Sequence, residues 1–598
     1  MNRFLVTTAL EETWPDADVP VLFLGEWCQR FYRQARWLPR DAVVLPYHWD
    51  DRARLALDYT YLLDLHERLL LDLSAHLNQM HGVDHSIRYW RILVGPWLGY
   101  FTQILYDRWV SIQQAVAQHD LSGTAVLSDK NAAMVPNDMA EFVGFFVGNR
   151  WNHHIYASIL QQFTAVPCTL QVQKSAEDLP RVLQIQQQNR SAKQRLAGGF
   201  AKAAGALAGQ QDAFLLGTSL PLLDELKMYV KLGQVPQRWR SMPCATTQID
   251  ANRRQWTLAG DSQNSFEVCV RTLIAQQLPA FYLEGYAQLT HQVNNLPWPK
   301  QPKLIWSSNS YNSDDVFKAW AAEKAESGTS IVSGQHGGHY GVGRWSFNEV
   351  HDLAISDCYL SWGWSAVGQP KVKPVGQLNS KRPLGVSHAA QQRALLVTAT
   401  MPQHSYVMYS AMISRQWLDY FEDQCTFVSL LPQAIQDALT VRLYSQDYGW
   451  SQRGRWQERL PQVRLDDGLR SIDELIRESR LYISTYNATT YLESFTMNVP
   501  TVIYWNPNHW ELRDSALPYF AELKRVGIFH DTPQSAAAHV AKIWDEVDAW
   551  WTGTELTDVL QRFKSQYCSL PDDLLSRVTS ALHESVTVEK TALSKVDN

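Results

Sequence analysis

Apolar runs of strand length open the chain, and longer segments with helical spacing follow them. Short apolar runs bounded by polar turns are typical of buried strands. Three such runs lie at 3–9, 19–25 and 42–47. Residues 53–82 repeat leucine at helical spacing between charged side chains, so we expect a long amphipathic helix there. The stretch 88–109 is apolar nearly all round and contains Pro96, which predicts a buried, kinked helix.

Strands and helices alternate regularly in the second half of the chain. One alternating series runs from 303 to 374, and a second series occupies 394–505. Within the second series, the run TFVSLLP (426–432) is predicted to be a strand. The polar, irregular stretch 379–393 separates the two series and is interpreted as an interdomain linker. Two such series predict an α/β protein with two Rossmann-like domains that face a cleft.

The segment between about 140 and 295 is mostly helical in pattern, which predicts large helical insertions in the N-terminal domain. We place the N-terminal domain at 1–385, the C-terminal domain at 386–565, and a C-terminal helix with a polar tail at 566–598. A chain of 598 residues fits this division, because single cores rarely grow beyond about 250–300 residues.

Composition excludes several classes of protein. Hydrophobic residues make up 45% of the chain and the formal net charge is −6, so neither wholesale disorder nor a nucleic-acid partner is expected. The seven cysteines are scattered without a CxxC pair, which is typical of a reducing cytosol. The N-terminus lacks a secretory signal, and no apolar run reaches the roughly 18 residues of a membrane helix. We therefore predict a cytoplasmic protein.

A strand, a turn and a helix in RLYISTYNATTYLES (480–494) predict a nucleotide-binding site. A helix N-terminus offers unpaired N–H groups and a partial positive charge, both of which favour phosphate. The predicted nucleotide-binding residues here are Tyr486, Asn487, Thr489, Thr490 and Glu493. The carboxylate of the last lies one turn into the helix, within reach of a ribose. An ordinary capped helix explains the same residues equally well.

The loop QHGGHYG (335–341) follows the apolar run TSIVSG, at the strand end where open α/β sheets bind ligands. Gln335, His336, Gly337, Gly338 and His339 are predicted to contact the acceptor or sugar. His336 is the candidate for proton transfer, because an imidazole titrates near neutrality. The alternative is a glycine turn in which His336 caps a carbonyl. No third ligand stands near the two histidines, so no metal is predicted.

Other strand ends carry further candidates. Glu11 and Glu26 follow the first two strands and are candidate catalytic carboxylates, although a solvated helix start explains Glu11 as well. Trp27 and Asn309 are predicted to contact the sugar or acceptor, the first by stacking and the second by hydrogen bonds. Arg442 ends a C-terminal strand and is predicted to face the phosphates of a donor.

Long stretches of the chain resemble a family of bacterial transferases associated with O-antigen and other surface-carbohydrate biosynthesis. The resemblance spans residue 1 to about 565. The motifs that carry it are LEETW…LFLGEWC, YHWDDR, HSIRYWRILVGPWLGYFTQILYDRW, LPLLDELKMYVKLGQVPQRW, SSNSYNSDDVFKAWAAEKA, GQHGGHYG and YNATTYLESFTMNVPTVIYWNPNHWELRD.

A more distant resemblance is to GT-B glycosyltransferases, including capsule transferases that use CMP-linked 2-keto sugars and polymerases that use CDP-glycerol. His336-Gly337 matches the His-Gly pair of those groups, and 487–490 matches their Ser/Thr-rich turn. The glycerophosphate group has a tryptophan before His-Gly, whereas this chain has GQHGG. The resemblance implies a GT-B-like fold with the acceptor on the N-terminal domain and the nucleotide on the C-terminal domain.

Together these observations predict a metal-independent glycosyltransferase without a cofactor. Its donor is a nucleotide-activated sugar, of which a CMP-linked one is an example, and its acceptor is a surface polysaccharide, an O-antigen or a lipid-linked glycan. Peripheral contact with the inner membrane is expected, since the acceptor is assembled there. The alternatives are a polyol-phosphate transferase of the CDP-glycerol type, a GT-B-like epimerase, and a noncatalytic scaffold for carbohydrate assembly.

Overall fold

A computed structural model describes residues 2–128, 131–171, 209–379 and 391–593. The predicted domain boundary at 385/386, and with it most of the predicted linker, lies outside the described residues. The described residues form three separate sheets of parallel strands, with helices packed on them. The predicted α/β class with Rossmann-like parallel sheets is therefore confirmed, and the part before the boundary contains two of the three sheets.

The first sheet has the strand order β3-β2-β1-β4-β5. Its strands are β1 (Arg3–Val6), β2 (Val21–Phe23), β3 (Ala42–Val44), β4 (Leu121–Leu127) and β5 (Cys168–Gln171). The helices of this part are α1 (Gln34–Trp37), α2 (Arg52–His81), α3 (Ile87–Leu93), α4 (Gly95–Gln118), α5 (Met139–Phe146) and α6 (Asn149–Phe163). All three strands predicted before residue 50 are present.

Two predictions about the helices of the first sheet have different outcomes. The long amphipathic helix is α2, which Asp51 caps through the N–H groups of Ala53 and Arg54. The single kinked helix predicted for 88–109 is instead two helices, α3 and α4, joined at Val94. Pro96 lies in the first turn of α4, where its missing N–H costs no hydrogen bond.

The second sheet runs β10-β9-β8-β7-β6. Its strands are β6 (Phe214–Leu215), β7 (Leu304–Ser307), β8 (Ser330–Gly334), β9 (Cys358–Ser361) and β10 (Val372–Pro374). Its helices are α7 (Leu222–Lys231), α8 (Ser265–Gln277), α9 (Tyr286–Asn294), α10 (Ser310–Ser313), α11 (Asp315–Glu326) and α12 (Phe347–Ile355).

The third sheet has the order β13-β12-β11-β14-β15-β16, which is the 3-2-1-4-5-6 order of a doubly wound fold. Its strands are β11 (Arg393–Val397), β12 (Leu439–Arg442), β13 (Arg464–Asp466), β14 (Ser479–Ser484), β15 (Thr501–Tyr504) and β16 (Phe529–His530). The order reverses between β11 and β14. A crevice opens at such a point, outside the carboxyl ends of the two strands.

Among the described residues, ten α-helices follow β11 along the chain. They are α13 (Gln416–Leu430), α14 (Gln433–Ala438), α15 (Gln452–Arg459), α16 (Ile472–Arg477), α17 (Thr489–Thr496), α18 (Leu517–Arg525), α19 (Pro533–Ile543), α20 (Val547–Trp551), α21 (Thr554–Tyr567) and α22 (Leu574–Leu593). The strand predicted at 426–432 is wrong, because 426–430 form the last turn of α13, in which Phe427 and Val428 are buried. A short apolar run does not distinguish a strand from a buried helix end.

The three sheets are held together by shared apolar packing. Leu304 and Val332 of the second sheet belong to the same buried cluster as Leu395 and Ile483 of the third. The C-terminal helix α22 returns to the second sheet and buries Leu582 in that cluster. The segment 403–416, which follows β11, reaches the first part of the chain: the N–H of Met408 donates to Gln103 at 2.6 Å. The loops at the strand ends are therefore fixed on both sides.

Candidate active site

A cleft of about 240 Å³ lies at the carboxyl ends of the strands on either side of the switch point of the third sheet. The loops after β11, β12, β14 and β15 line it from one side, and His339 and 346–348 of the second sheet line it from the other. No Asp, Glu, Lys or Arg stands among its lining residues within the described ranges. The cleft is therefore aromatic and uncharged, with hydrogen-bonding groups at a few points.

The turn between β14 and α17 supplies one of these hydrogen-bonding groups, the amide of Asn487. The side chain of Asn487 is 1% exposed, and its oxygen accepts a hydrogen bond from the Tyr491 hydroxyl at 3.2 Å. Its amide nitrogen finds no partner among the described residues, and Asn487 is one of the residues that line the cleft. A buried amide donor without a partner is costly, so a ligand group is the natural acceptor for it.

The residues around Asn487 complete the wall of the cleft. Ala488 precedes α17 and has no side chain that could cap it, so the first N–H groups of the helix receive no side-chain cap there. The Thr490 hydroxyl donates to the Tyr486 hydroxyl at 3.1 Å, and burial raises the pKa of Tyr486 to about 12. Tyr486 thus stays protonated at neutral pH, with its ring 6.2 Å from that of Trp510.

The glycine loop after β8 contacts this same turn. The N–H of Gly338 donates to the Thr489 hydroxyl at 3.1 Å. A Cβ at position 338 would lie 2.6 Å from the carbonyl oxygen of Ala488. Glycine is required here because the backbone approaches the opposite loop closely, whereas the sequence suggested an approach to a ligand. The two predicted loops are therefore brought together.

Gln335 shapes the loop and does not face the cleft. It is 1% exposed, and its amide nitrogen donates to the carbonyl of Gly337 at 2.9 Å. Its side-chain oxygen accepts from the Trp362 N–H at 3.0 Å and from the Trp364 indole at 2.8 Å. The hydrogen bonds that fix the loop occupy the side chain of Gln335, and its contact with sugar or acceptor stays a prediction.

The two histidines of the loop are placed differently. His339 lines the cleft, and its ring lies 5.6 Å from that of Tyr409. His336 is not among the lining residues, and its ring lies against Tyr340, whose hydroxyl is 3.4 Å from Nε2. Burial lowers the pKa of His336 to about 4 and that of His339 to about 3. Both imidazoles are therefore neutral at pH 7, and each is a weaker base in this structure than an ordinary histidine.

Two predicted nucleotide contacts are already engaged with the protein. Glu493 accepts a hydrogen bond from the Asn379 amide at 3.2 Å. Arg442 forms an ion pair with Asp466 at 2.8 Å and donates to the carbonyl of Arg470 at 2.8 Å. Neither side chain lines the cleft. Contact with a nucleotide would require these bonds to be exchanged, and both assignments stay predictions.

The predicted N-terminal site residues lie away from the cleft lining. Trp27 is 1% exposed and donates to the carbonyl of Thr7 at 2.9 Å, so it packs in the core, and its contact with a sugar stays a prediction. Glu11 is held by Arg33 at 2.6 Å, and that hydrogen bond lowers the pKa of Glu11. Asn309 is exposed at the start of α10.

Glu26 lies where the loop after β2 of the first sheet meets the segment before α13 of the third sheet. Its carboxylate is 2.9 Å from the Arg415 guanidinium, which also pairs with Asp50 at 2.7 Å. Burial raises the pKa of Glu26, and the nearby Arg415 opposes that effect. Glu26 does not line the cleft, so its proposed catalytic role stays a prediction.

Several residues that line the cleft are not among those predicted from the sequence. The side chain of Thr400 is 4% exposed, and its hydroxyl finds no partner among the described residues. Tyr409, Tyr444 and Tyr448 add aromatic walls. Thr400 could have been found, because it ends the apolar run 394–400. The tyrosines carry no such signal, since their loops become neighbours only in the folded chain.

Ion pairs and main-chain bonds fix the second sheet against the third beside the cleft. Arg513 donates to Glu349 at 2.8 Å, and Glu349 also accepts the N–H of Gly341 at 2.7 Å. Gly343 and Leu512 form an antiparallel bridge. The glycine at 341 has φ +74°, a left-handed conformation that favours glycine. The loop that carries His339 is thus held from both sides.

Across the described ranges, no three His, Cys, Asp or Glu side chains come together as metal ligands would. Within the same ranges, none of the helices has both the length and the apolar character needed to cross a bilayer.

Comparison with known proteins places the chain in a family. A Listeria monocytogenes protein provisionally named a UDP-N-acetylglucosamine 2-epimerase is 12% identical, with 63% of this chain and 96% of that one aligned and a TM-score of 0.35. MurG of Acinetobacter baumannii is also 12% identical over 62% and 99% of the two chains, with a TM-score of 0.33. A search of the curated proteins finds no significant match. The signature described as LIC12162 family transferase matches residues 3–582, and the chain therefore belongs to the LIC12162 family of transferases.

Proposed function

We propose that this transferase moves a glycosyl group from a nucleotide-activated sugar to a glycan acceptor of a surface polysaccharide or O-antigen. The nucleotide binds in the cleft between the second and third sheets. The observation that supports this most directly is the partnerless amide of Asn487, buried at the switch point beside the N-terminus of α17. An amide donor next to uncapped helical N–H groups suits the oxygens of a phosphate and its ribose.

The lining of the cleft fits the rest of a nucleotide. Tyr486, Trp510, Tyr444 and Tyr448 present aromatic rings, on which a base can stack. The absence of Lys and Arg from the described lining residues leaves the charge of the phosphate to α17 and to the Thr400 and Asn487 donors. We propose that these donors hold the phosphate without a metal ion and that the protein needs no cofactor.

The loop of the second sheet supplies the proton acceptor. In the proposed reaction, an acceptor hydroxyl attacks the anomeric carbon, and the bond from that carbon to the phosphate oxygen breaks. The phosphate leaves with the electron pair, and the hydroxyl proton passes to a neutral imidazole. His339 is the better placed of the two histidines because it lines the cleft. His336 supports it through Tyr340, whose ring lies 4.4 Å from that of His339.

Binding is tested first by calorimetry with UDP, GDP, CMP, CDP and dTDP, after a thermal-shift screen. We expect one nucleotide to bind tightly and Asn487→Ala to weaken it by about 1–3 kcal/mol, the usual cost of losing such a hydrogen bond. Asn252→Ala is the matched control, because Asn252 is exposed and does not line the cleft. Equal affinity in the Asn487→Ala protein, shown to be folded by circular dichroism, would reject this site.

Chemistry is tested with the activated sugar that carries the nucleotide so identified. Slow hydrolysis of this donor by water, or its transfer to a glycan fraction, is expected. Release of nucleoside monophosphate together with transfer of a polyol phosphate would instead identify a polyol-phosphate transferase. We also propose that this protein is cytoplasmic. It would meet its acceptor at the inner face of the membrane through peripheral contact with the bilayer.

A further inference from the structure

A second cavity, of about 400 Å³, lies beside the cleft between the first and third sheets. Arg30, Tyr32 and Arg33, which follow β2, form one wall of it. Val147 and Asn149, at the start of α6, and Gln403, Tyr448, Gly449 and Ser451 from loops of the third sheet complete the lining. None of the residues assigned above to the donor lies here except Tyr448.

Two arginine-rich segments meet at this cavity. RFYRQAR (30–36) carries three arginines, and YGWSQRGR (448–455) carries two. Glu11 is a shared partner for two of them: Arg33 binds it at 2.6 Å and Arg36 at 3.2 Å. No Asp or Glu stands among the lining residues within the described ranges. The charged side chains of the cavity lining are therefore the arginines Arg30 and Arg33, whereas the cleft next to it has none.

The walls of the cavity are locked against one another. A Cβ at position 454 would lie 1.9 Å from the Tyr32 hydroxyl, so the first wall packs directly on α15. The Arg455 guanidinium lies over the ring of Phe31 at 4.6 Å. The Gln403 amide donates to the carbonyl of Gly449 at 3.1 Å. These contacts fix the segment after β2 against α15 and fix the two loops of the third sheet against each other.

The cavity and the cleft share a wall. Tyr448 lines both, and it holds a left-handed backbone conformation with φ +55°, which is strained for a residue with a side chain. Gln403 of the cavity follows Pro402 of the cleft directly. A ligand that fills the cavity would lie against the same tyrosine as a ligand in the cleft.

We propose that this cavity binds an anionic group, a phosphate or a carboxylate, carried by the acceptor. Arg30 and Arg33 are the residues that would contact it, since guanidinium groups bind both anions in a bidentate manner. Only the assignment of the anion to the acceptor rests on the proposed function. Arg33 binds Glu11 through two hydrogen bonds, but 53% of the Arg33 side chain is exposed, so the guanidinium can also contact a ligand. Phosphate would come from a lipid-linked glycan, and carboxylate from an acidic sugar.

The test is a calorimetric titration of the full chain with inorganic pyrophosphate and, separately, with glucuronate at constant ionic strength. We expect binding of at least one probe and a loss of affinity of about tenfold or more in Arg30→Gln/Arg33→Gln. Arg459→Gln is the matched control, because it removes the same charge from an exposed side chain that does not line the cavity. Glu11→Gln is expected to tighten binding, since it frees Arg33 from its partner.

The pattern across variants separates this proposal from the donor site. Binding of pyrophosphate alone assigns the phosphate source, and binding of glucuronate alone assigns the carboxylate source. No heat with either probe, or equal affinity in wild type and the double arginine variant, would overturn the proposal. Loss of binding in Asn487→Ala with retention in the double arginine variant would place the anion in the cleft and would also overturn it. A protein that binds no nucleotide but passes these tests would refute only the proposed function.

Discussion

The N–H of Gly338 donates a hydrogen bond to the hydroxyl of Thr489 at 3.1 Å. This single contact joins the glycine loop that follows β8 in the second sheet to the first residue of α17 in the third sheet. It brings the histidine loop beside the turn that holds Asn487. The relationship explains why the two segments carry unusual residues at strand ends more than 150 residues apart in sequence.

Gly338→Ala is expected to disrupt the junction of these loops. The added Cβ would lie 2.6 Å from a backbone carbonyl oxygen, which cannot move aside cheaply. We expect a loss of about 1–3 kcal/mol in the free energy of unfolding, measured in urea, together with loss of nucleotide binding. Gly343→Ala is the matched control, because its nearest contact would be an ordinary 3.4 Å. Equal effects of the two substitutions would contradict the contact.

Removal of the His339 imidazole is expected to slow turnover without loosening the donor. His339→Gln should lower donor turnover by about 10²–10⁴, the usual range for a general base, while nucleotide affinity changes little. His336→Gln should have a smaller effect, because His336 does not line the cleft. His291→Gln, at an exposed position, provides the control. A larger loss in the His336 variant than in the His339 variant would reverse the assignment of the two histidines.

The same histidines predict how stability depends on pH. Their pKa falls from an ordinary 6.5 to about 4 for His336 and to about 3 for His339 because burial disfavours the charged form. Between the folded and unfolded values the unfolded chain binds more protons, so stability rises with pH across that window and levels off above about 7. At pH 5 each histidine should cost about 1–2 kcal/mol relative to pH 7.5.

Urea unfolding of the wild type and of His336→Gln/His339→Gln at the two pH values measures this contribution. The double variant should lose less stability on acidification than the wild type. Its remaining loss is expected from other buried histidines such as His48, whose pKa burial also lowers to about 4. An equal loss in both proteins would show that these two imidazoles do not carry the pH dependence.

The sequence was sufficient to predict the positions of the strand ends beside the cleft. It was not sufficient to predict which side chains from other segments contact them. The strands that end at Gly334 and Ser484, and a helix that starts at Thr489, all stand where the apolar pattern predicted them. These features are local, since strand length and a turn before a helix depend on neighbouring residues. The same pattern could not show that Gln335 turns into the interior, because its partners Trp362 and Trp364 lie in the loop after β9.

Burial was the other property that the sequence left open. Trp27 follows a strand and has the side chain that commonly stacks on sugars, yet it packs in the core against Tyr47 and His404. A tryptophan at a strand end can stack on a sugar or pack in the core. Only the position of the loop after β11, which contains His404, decides between the two for Trp27. The second sheet was likewise predicted to be part of one N-terminal domain, since nothing local marks where one parallel sheet ends and another begins.

Thr400 and Thr398 provide the last prediction, because they are similar residues in opposite situations. The Thr400 hydroxyl is buried in the lining of the cleft and has no partner among the described residues. The Thr398 hydroxyl is also buried but donates to the carbonyl of Arg442 at 3.0 Å. Replacing each by valine keeps the shape of the side chain and removes only the hydroxyl.

Thr400→Val should leave the free energy of unfolding unchanged or slightly higher, because an unsatisfied buried hydroxyl is lost. It should at the same time weaken nucleotide binding by about 0.5–1.5 kcal/mol, the net value of one hydrogen bond. Thr398→Val should show the reverse, with about 1 kcal/mol lost in urea unfolding and nucleotide affinity kept. Calorimetry and urea unfolding on the same two proteins decide the matter. If Thr400→Val lowers stability as much as Thr398→Val and leaves affinity intact, then the Thr400 hydroxyl serves the fold, and the ligand must be placed elsewhere in the cleft.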